Sequence, residues 1–128
     1  QVVFDDFVGR GLLDFDTMCL AEPALDLGQF CAYLRVACRK AASKSGGGPD
    51  ASIEASIGDV LSERFLGAYM LEGRSDAGDR VVARAAAYEA ASLVRMALHS
   101  WHQLKAARTG HIIAVLRERM EWLGTPVR

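Results

Sequence analysis

The sequence predicts a mainly α-helical protein, in which a short N-terminal β-hairpin is followed by about four helices. At the start of the chain, the apolar runs QVVF and GLLDF flank a polar turn that contains Gly9, as in a hairpin. Beyond residue 22, apolar residues recur at spacings of three and four, as one buried face of a helix requires. Because 51% of the 128 residues are hydrophobic, a single domain spanning residues 1–128 can bury a core.

Each predicted helix is bounded by residues that favour its start or its end. Pro23 suits the first turn of the first helix, which ends at the glycine-rich loop SKSGGGPD. The second helix ends before EGRSDAGD, and the third runs from about residue 80 to residue 107. The last helix starts at about Thr109, a suitable N-cap, and reaches Gly124.

The apolar spacing also predicts which side chains these helices bury. The expected positions, helix by helix, are Leu27, Phe30, Cys31, Leu34 and Cys38; Ile53, Ile57, Val60, Leu61, Phe65, Ala68 and Tyr69; Val81, Ala85, Tyr88, Ser92, Leu93, Met96, Trp101 and Leu104; and Ile112, Ile113, Leu116, Met120 and Leu123. Trp101 and Trp122 are expected in the core or at an interface between lobes.

Composition argues against several classes of partner. The 15 basic and 16 acidic residues are interspersed and give a formal charge of -1, so neither nucleic acid nor an anionic membrane is expected to bind. Neither a membrane-spanning run nor a signal peptide is evident.

Cys19, Cys31 and Cys38 are odd in number and lack C-x-x-C spacing, which favours reduced thiols in a cytoplasmic protein.

The aspartate at the end of the second apolar run is the main candidate for chemistry. Asp14 stands where a strand is predicted to end, so its side chain can leave the core while the backbone stays fixed. A carboxylate held in this way can bind Mg²⁺, which takes oxygen ligands and often shares them with nucleotide phosphates. An aspartate in a turn, bonded to its own backbone, explains the same position equally well.

Two segments together resemble a known family. LLDFD at residues 12–16, followed by AEPALDLGQF at residues 21–30 and preceded by a short hairpin, is similar to the C-terminal lobe of aminoglycoside phosphotransferases, relatives of the protein kinases. In that family an I-D-F or I-D-W motif takes the part of the kinase D-F-G, and D-P-x-x-D-L follows it. The kinase catalytic loop, H-x-D-x-x-x-x-N, lies one hairpin upstream.

The resemblance implies a role for each matching residue. Asp14 would hold magnesium on the nucleotide phosphates, and Gln1, where the catalytic-loop asparagine would fall, would be the second metal ligand. Asp16 would assist at the metal, and Asp26 would be the buried acid that braces the catalytic loop. The chain departs from the pattern by having Gln1 instead of asparagine and Glu22 instead of aspartate before proline.

The resemblance also implies an activity for a longer protein. The parent enzyme would transfer the γ-phosphoryl group of ATP or GTP, with Mg²⁺, to a hydroxyl of a small molecule. The N-terminal lobe and the catalytic H-x-D are not in this chain, which starts directly in a strand-like run, so these residues alone are expected to be inactive. The missing lobe is the protein partner that this predicts, and a homo-oligomer is compatible with it, since the sequence leaves the oligomeric state open.

The helices would supply the pocket for the acceptor, whose identity the sequence leaves open. Four acids on the predicted helices are candidates to contact a cationic acceptor, although a solvated helix face is the usual place for such residues: Glu54, Asp59, Glu63 and Glu89.

Two other functions compete with the phosphotransferase hypothesis. Haloacid-dehalogenase-type phosphatases carry D-x-D-x-T or D-x-D-x-V after a strand, but here Thr17 comes one position early and Met18 fills the slot. A non-catalytic helical interaction domain, with the aspartates as caps and turns, is the other alternative, because a lobe without its partner exposes the surface that the partner would cover.

Basic residues of the third helix form a further pattern. Arg95, His99 and His102 lie on one side, and Lys105 and Arg108 continue it. An H-x-x-H metal or anion site is one interpretation of this pattern, but the spacing shows no further ligand. A solvent-facing basic stripe is therefore the expected interpretation, and His111 is expected to face solvent as well. Gly46 to Gly48 are interpreted as a flexible connector, since they lack the order of a phosphate-binding loop.

Overall fold

The structure is a computed structural model that describes residues 2–4, 10–12, 20–44, 49–73 and 76–124, with side chains for 20–44, 56–72 and 78–124. Four helices account for most of these residues: α1, Pro23–Lys44; α2, Pro49–Gly73; α3, Asp76–His102; and α4, Ala106–Gly124. The prediction of a mainly helical chain is therefore confirmed.

Two three-residue strands precede the helices. Strand β1, Val2–Phe4, pairs antiparallel with β2, Arg10–Leu12, so that Val3 lies opposite Gly11. The predicted turn between them and the residues that follow β2 lie outside the described part of the chain. The hairpin as a unit therefore stays a prediction.

Helix α1, like α3, packs against each of the other three helices. Pro23 begins it, as predicted, since proline needs no backbone N–H in the first turn of a helix. The core lies between α1, α3 and α4 and consists of Ala32, Val36, Leu93, Met96, Ile112 and Val115. All six are at least 93% buried, so apolar burial at this three-helix junction holds the fold together.

Helices α1 and α3 touch backbone to backbone at Gly28. A Cβ atom built on Gly28 would lie 2.5 Å from the carbonyl oxygen of Ala85 and 2.6 Å from the amide nitrogen of Glu89. No side chain larger than hydrogen fits at such distances. The crossing therefore depends on glycine, and it sets the close approach of the two helices.

Helix α2 packs on α1 largely through small residues, and its predicted apolar face takes part only in places, as at Phe65. A Cβ on Gly58 would lie 3.1 Å from the Cα of Arg35, and Ser62 is fully buried, its hydroxyl donating to the carbonyl of Gly58 at 2.7 Å. The prediction that Ile57, Val60 and Leu61 are buried is wrong, since all three are exposed. Where two helices approach closely, the side chains between them must be small, whatever their polarity. The spacing of apolar residues does not indicate which helix face meets this requirement.

Helix α3 ends at His102, five residues before its predicted end. The amide of Leu104 donates to the carbonyl of Trp101, and that of Lys105 donates to the carbonyl of Ser100, which is the hydrogen-bond pattern of a Schellman motif. Leu104 takes the left-handed position of this motif, with φ of 55°, where glycine is usual. The chain turns sharply here, although residues 103–105 include neither glycine nor proline, the residues that usually indicate a turn in the sequence.

The turn also changes the start of the last helix and the exposure of its neighbours. Thr109 is not the N-cap, because α4 begins at Ala106 and the Thr109 hydroxyl donates to the carbonyl of Lys105 at 3.1 Å, one turn back. Leu104, predicted to be buried, is 89% exposed. Trp101 and Trp122 are also exposed, at 68% and 59%, so neither lies in the core, and a place at an interface between lobes stays a prediction.

Only part of the predicted apolar face of α4 is buried. Among the described residues α4 packs on α3 and α1 alone, so Thr109, Ile112 and Val115 face inward. Ile113, Met120 and Leu123 are exposed, contrary to prediction, because no described element covers that side. On α1, Leu27 and Cys31 are buried as predicted, whereas Phe30 is 40% exposed and contacts the ring of Phe65.

Candidate functional site

The start of α1 is the described part of the site that the sequence predicts. The three predicted magnesium ligands, Gln1, Asp14 and Asp16, lie outside the described residues. Asp26 lies in the first turn of α1, where a carboxylate complements the positive end of the helix dipole, and its side chain is exposed. No contact of the described residues tests the bracing role that the resemblance implies for Asp26, so that role stays a prediction.

Glu22, immediately before α1, is held against α3. The hydroxyl of Tyr88 donates a hydrogen bond to Glu22 Oε2 at 2.7 Å, and the Arg84 guanidinium pairs with Oε1 of the same carboxylate. Arg84 and Tyr88 lie four residues apart and so project from one face of α3. Together with the contact at Gly28, six residues beyond Glu22, this pair fixes where the chain enters the helix.

These contacts move the pKa values of both groups away from their ordinary values. The hydrogen bonds from Tyr88 and Arg84 lower the pKa of Glu22, because they stabilise the carboxylate. The pKa of Tyr88 is raised, chiefly because its hydroxyl must keep its proton to donate it to Glu22. A carboxylate with such partners is suited to holding structure rather than to exchanging protons near neutral pH.

The lowered pKa of Glu22 predicts a specific pH dependence of stability. Since the folded pKa is below the unfolded value, the stabilisation is present above the ordinary value of 4.5 and is lost as the pH falls through the folded pKa. We expect Glu22→Gln to flatten the fall of the melting temperature in acid, measured by circular dichroism. Glu72→Gln, at an exposed position on α2, should leave the slope unchanged, and equal slopes in wild type and Glu22→Gln would contradict the role.

A second cluster of charges is buried where the helices meet. Glu89 on α3 is 3% exposed and lies between two arginines, with its Oε1 2.7 Å from Arg35 Nε and its Oε2 3.3 Å from Arg119 Nε. Arg35, 7% exposed, also pairs with Asp59 of α2. Side chains from all four helices therefore join in one network of two cations and two anions.

A cleft of about 270 Å³ opens above this network, between α2 and α4 and over α1. Its lining residues are Arg35, Arg39, Asp59, Glu63, Val115, Glu118, Arg119 and Trp122. Arg39 pairs with Glu118 at 2.5 Å, and the Arg119 guanidinium lies 4.4 Å from the centre of the Trp122 ring. Most of the charges that line the cleft thus already have a partner in the protein.

The structure answers part of the prediction about the acidic residues. Asp59 and Glu63 do reach one cleft, but Asp59 is paired with Arg35. Glu89 is neither a solvated residue nor a free contact for a cation, because it is buried between Arg35 and Arg119. The side chain of Glu54 lies outside the described part. The sequence around a single acidic residue of a helix does not indicate that two arginines distant in the sequence will enclose it.

The basic pattern of the third helix is divided by the turn at Leu104. His99 Nε2 lies 2.8 Å from the side-chain amide of Gln103, and His102 is exposed at the end of α3. Within the described ranges, no group of three histidine, cysteine, aspartate or glutamate side chains is placed to hold a metal ion. Lys105 and Arg108 do not continue the stripe, because they lie beyond the turn and line a different cleft with His111.

The described part of the chain contains two of the three cysteines. Cys31 and Cys38 are free thiols, and Cys19 lies outside the described residues. Burial raises the pKa of the Cys31 thiol, and the nearby Glu89 carboxylate adds to the effect. A buried thiol with a raised pKa is a packing residue, since the reactive form is the thiolate.

Comparison with known proteins adds no family assignment. No family model matches the chain, and no curated protein and no solved structure gives a significant match. Among the helices described, none has the length and apolar content that crossing a membrane requires.

Proposed function

We propose that this chain is the C-terminal lobe portion of a kinase-like small-molecule phosphotransferase. The parent enzyme transfers the γ-phosphoryl group of ATP or GTP to a hydroxyl of its acceptor, and the helices contribute to the acceptor side. The observation that carries the proposal is the order of LLDFD and AEPALDLGQF in the sequence, which resembles the aminoglycoside phosphotransferase pattern.

The geometry at the start of α1 supports this proposal. The second motif begins a long helix at Pro23, and Asp26 falls in its first turn. Glu22, the residue that replaces the family's aspartate, is tied to Arg84 and Tyr88. Catalysis by positioning requires that the lobe with the metal ligand is held rigidly, and a fixed helix start contributes to this rigidity.

The proposed ligands fit the chemistry of magnesium. Asp14 and Asp16 offer carboxylate oxygens and Gln1 offers an amide oxygen, which is the donor type that Mg²⁺ prefers. When bound, the ion neutralises charge on the nucleotide phosphates. The residues of this chain would hold and orient the phosphates, and the residue that accepts the proton of the acceptor lies in the missing catalytic loop.

The decisive substitution is Asp14→Ala in the full-length protein. We expect it to abolish phosphoryl transfer, because the carboxylate is the principal metal ligand, while the circular dichroism spectrum and melting temperature stay those of the wild type. Transfer is followed as release of ADP or GDP over a panel of hydroxyl acceptors. Asp79→Ala, which removes an exposed carboxylate of α3, is the matched control and should keep full activity.

Near-normal turnover by Asp14→Ala would refute the proposal. Intact mass and N-terminal sequencing of the native polypeptide test it independently. A native chain that has H-x-D upstream, with the aspartate five residues before Gln1, supports a complete active site. ATP turnover by the 128 residues alone would also contradict the proposal, because the proposal places the catalytic base outside these residues.

A helical interaction domain is the second candidate, and a specific surface favours it. Val94, Leu98 and Trp101 are exposed on α3 at spacings of four and three, so they form one apolar stripe. If the native polypeptide begins at Gln1, this candidate is preferred to the phosphotransferase.

A further inference from the structure

A cleft between the end of α1 and the start of α4 has an unusual charge distribution. Its volume is about 570 Å³, within the range of small-molecule sites. The lining residues are Lys40, Ser43, Lys44, Lys105, Ala106, Ala107, Arg108 and His111. Lys40 and Lys44 are four residues apart on α1, and Arg108 and His111 three apart on α4, so each pair projects from one face of its helix.

Among the described residues, the basic side chains of this cleft lack the acidic partners that other basic residues of the four helices have. No acidic side chain is among the lining residues, and none of Lys40, Lys44, Lys105 and Arg108 has an acidic partner in the described part of the chain. By contrast, Arg35, Arg39, Arg84 and Arg119 each pair with a carboxylate. Four positive side chains that share a cleft without a counter-charge favour an anion there.

The start of α4 adds to this field. The residue before the helix is Lys105, whose side chain carries no oxygen to accept from the first backbone N–H groups. Its ammonium group donates instead to Gln103 Oε1 at 2.5 Å. The positive end of the α4 dipole therefore borders the same cleft as the four basic side chains, and the two contributions have the same sign.

The cationic cleft continues into an apolar one. An adjoining cavity of about 250 Å³ shares Lys40, Arg108 and His111 with it and is otherwise lined by Tyr33, Val36, Ala37 and Met96. Tyr33 is 44% exposed, so its ring is accessible. A ligand that spans both parts needs an anionic group at one end and an apolar or aromatic body at the other.

We propose that this composite cleft binds a small organic phosphate, whose phosphoryl group contacts Lys40, Lys44 and Arg108 and whose apolar body lies against Tyr33. A phosphate fits better than a carboxylate, because it has three oxygens to share among several donors. The inference does not depend on the proposed phosphotransferase function, since none of these residues belongs to the motifs that carry it.

The test uses 1-naphthyl phosphate as the probe, titrated into the whole protein by isothermal titration calorimetry. Inorganic phosphate and 1-naphthol serve as the two halves of the probe. We expect 1-naphthyl phosphate to bind at least tenfold more tightly than either half, since only it engages both parts of the cleft. Failure of 1-naphthyl phosphate to bind at millimolar concentration, or equally tight binding of inorganic phosphate, overturns the proposal.

Matched variants locate the binding. Arg108→Gln and Lys44→Gln, both at exposed positions, should each weaken 1-naphthyl phosphate about tenfold. Tyr33→Ala should weaken 1-naphthyl phosphate but not inorganic phosphate. Arg95→Gln, an exposed arginine of α3 outside the cleft, should have no effect, and an equal loss in Arg95→Gln and Arg108→Gln would mean unspecific charge attraction and refute the site.

A further arm separates a soluble phosphate from a lipid headgroup. Phosphatidylcholine vesicles with and without phosphatidic acid are mixed with the protein and sedimented. Binding to the phosphatidic acid vesicles in the absence of 1-naphthyl phosphate binding would overturn the proposal of a soluble ligand. Binding of 1-naphthyl phosphate without sedimentation supports it.

Discussion

Replacing Gly28 by alanine is expected to lower the free energy of unfolding by about 3 kcal/mol. The added methyl group would overlap backbone atoms of Ala85, Tyr88 and Glu89, all within 2.8 Å of its position. Backbone cannot rotate aside as a flexible side chain can, so α1 and α3 must separate. Urea unfolding followed by circular dichroism at 222 nm measures the change.

Gly67→Ala in α2 is the matched control, because it makes the same substitution inside a helix with no atom within 4 Å of the new Cβ. There alanine should raise the free energy of unfolding by about 0.5 to 1 kcal/mol, since glycine loses more backbone entropy on folding. A similar effect of both substitutions would show that helix propensity, not the close contact at Gly28, governs the outcome.

Glu89→Gln is expected to be the second strongly destabilising substitution, at about 3 to 5 kcal/mol. The carboxylate is enclosed by Arg35 and Arg119, which are 7% and 15% exposed. Without it, the Arg35 guanidinium keeps only its pairing with Asp59, whose side chain is 59% exposed, and the largely buried Arg119 loses the carboxylate it pairs with. Thermal and urea unfolding of the variant measure the loss.

Glu118→Gln provides the comparison at a solvated ion pair. Glu118 pairs with Arg39, and the two side chains are 57% and 29% exposed. Water and salt screen such a pair, so its loss should cost about 1 kcal/mol or less. If Glu89→Gln were as mild as Glu118→Gln, the buried network would not be a determinant of stability.

The positions of Glu22 and Glu89 show why charged residues are hard to interpret from sequence. Both were visible as acids near or on a predicted helix, yet one is bonded at the start of α1 and the other is buried at the helix junction. Arg35 and Glu89 are 54 positions apart in the sequence, and Arg84 and Glu22 are 62 positions apart. Local spacing carries no information about contacts of that range.

The sequence by itself determined the helical class, the start of α1 at Pro23 and the burial of Leu93, Met96 and Ile112, because helix formation and amphipathic spacing are properties of neighbouring residues. It also supplied the motifs around Asp14 on which the phosphotransferase proposal depends. Tertiary structure decided the rest. The contact at Gly28, the enclosure of Glu89 and the cationic cleft formed by Lys40, Lys44 and Arg108 depend on which helices pack together and how closely, and that geometry arises only when distant segments meet.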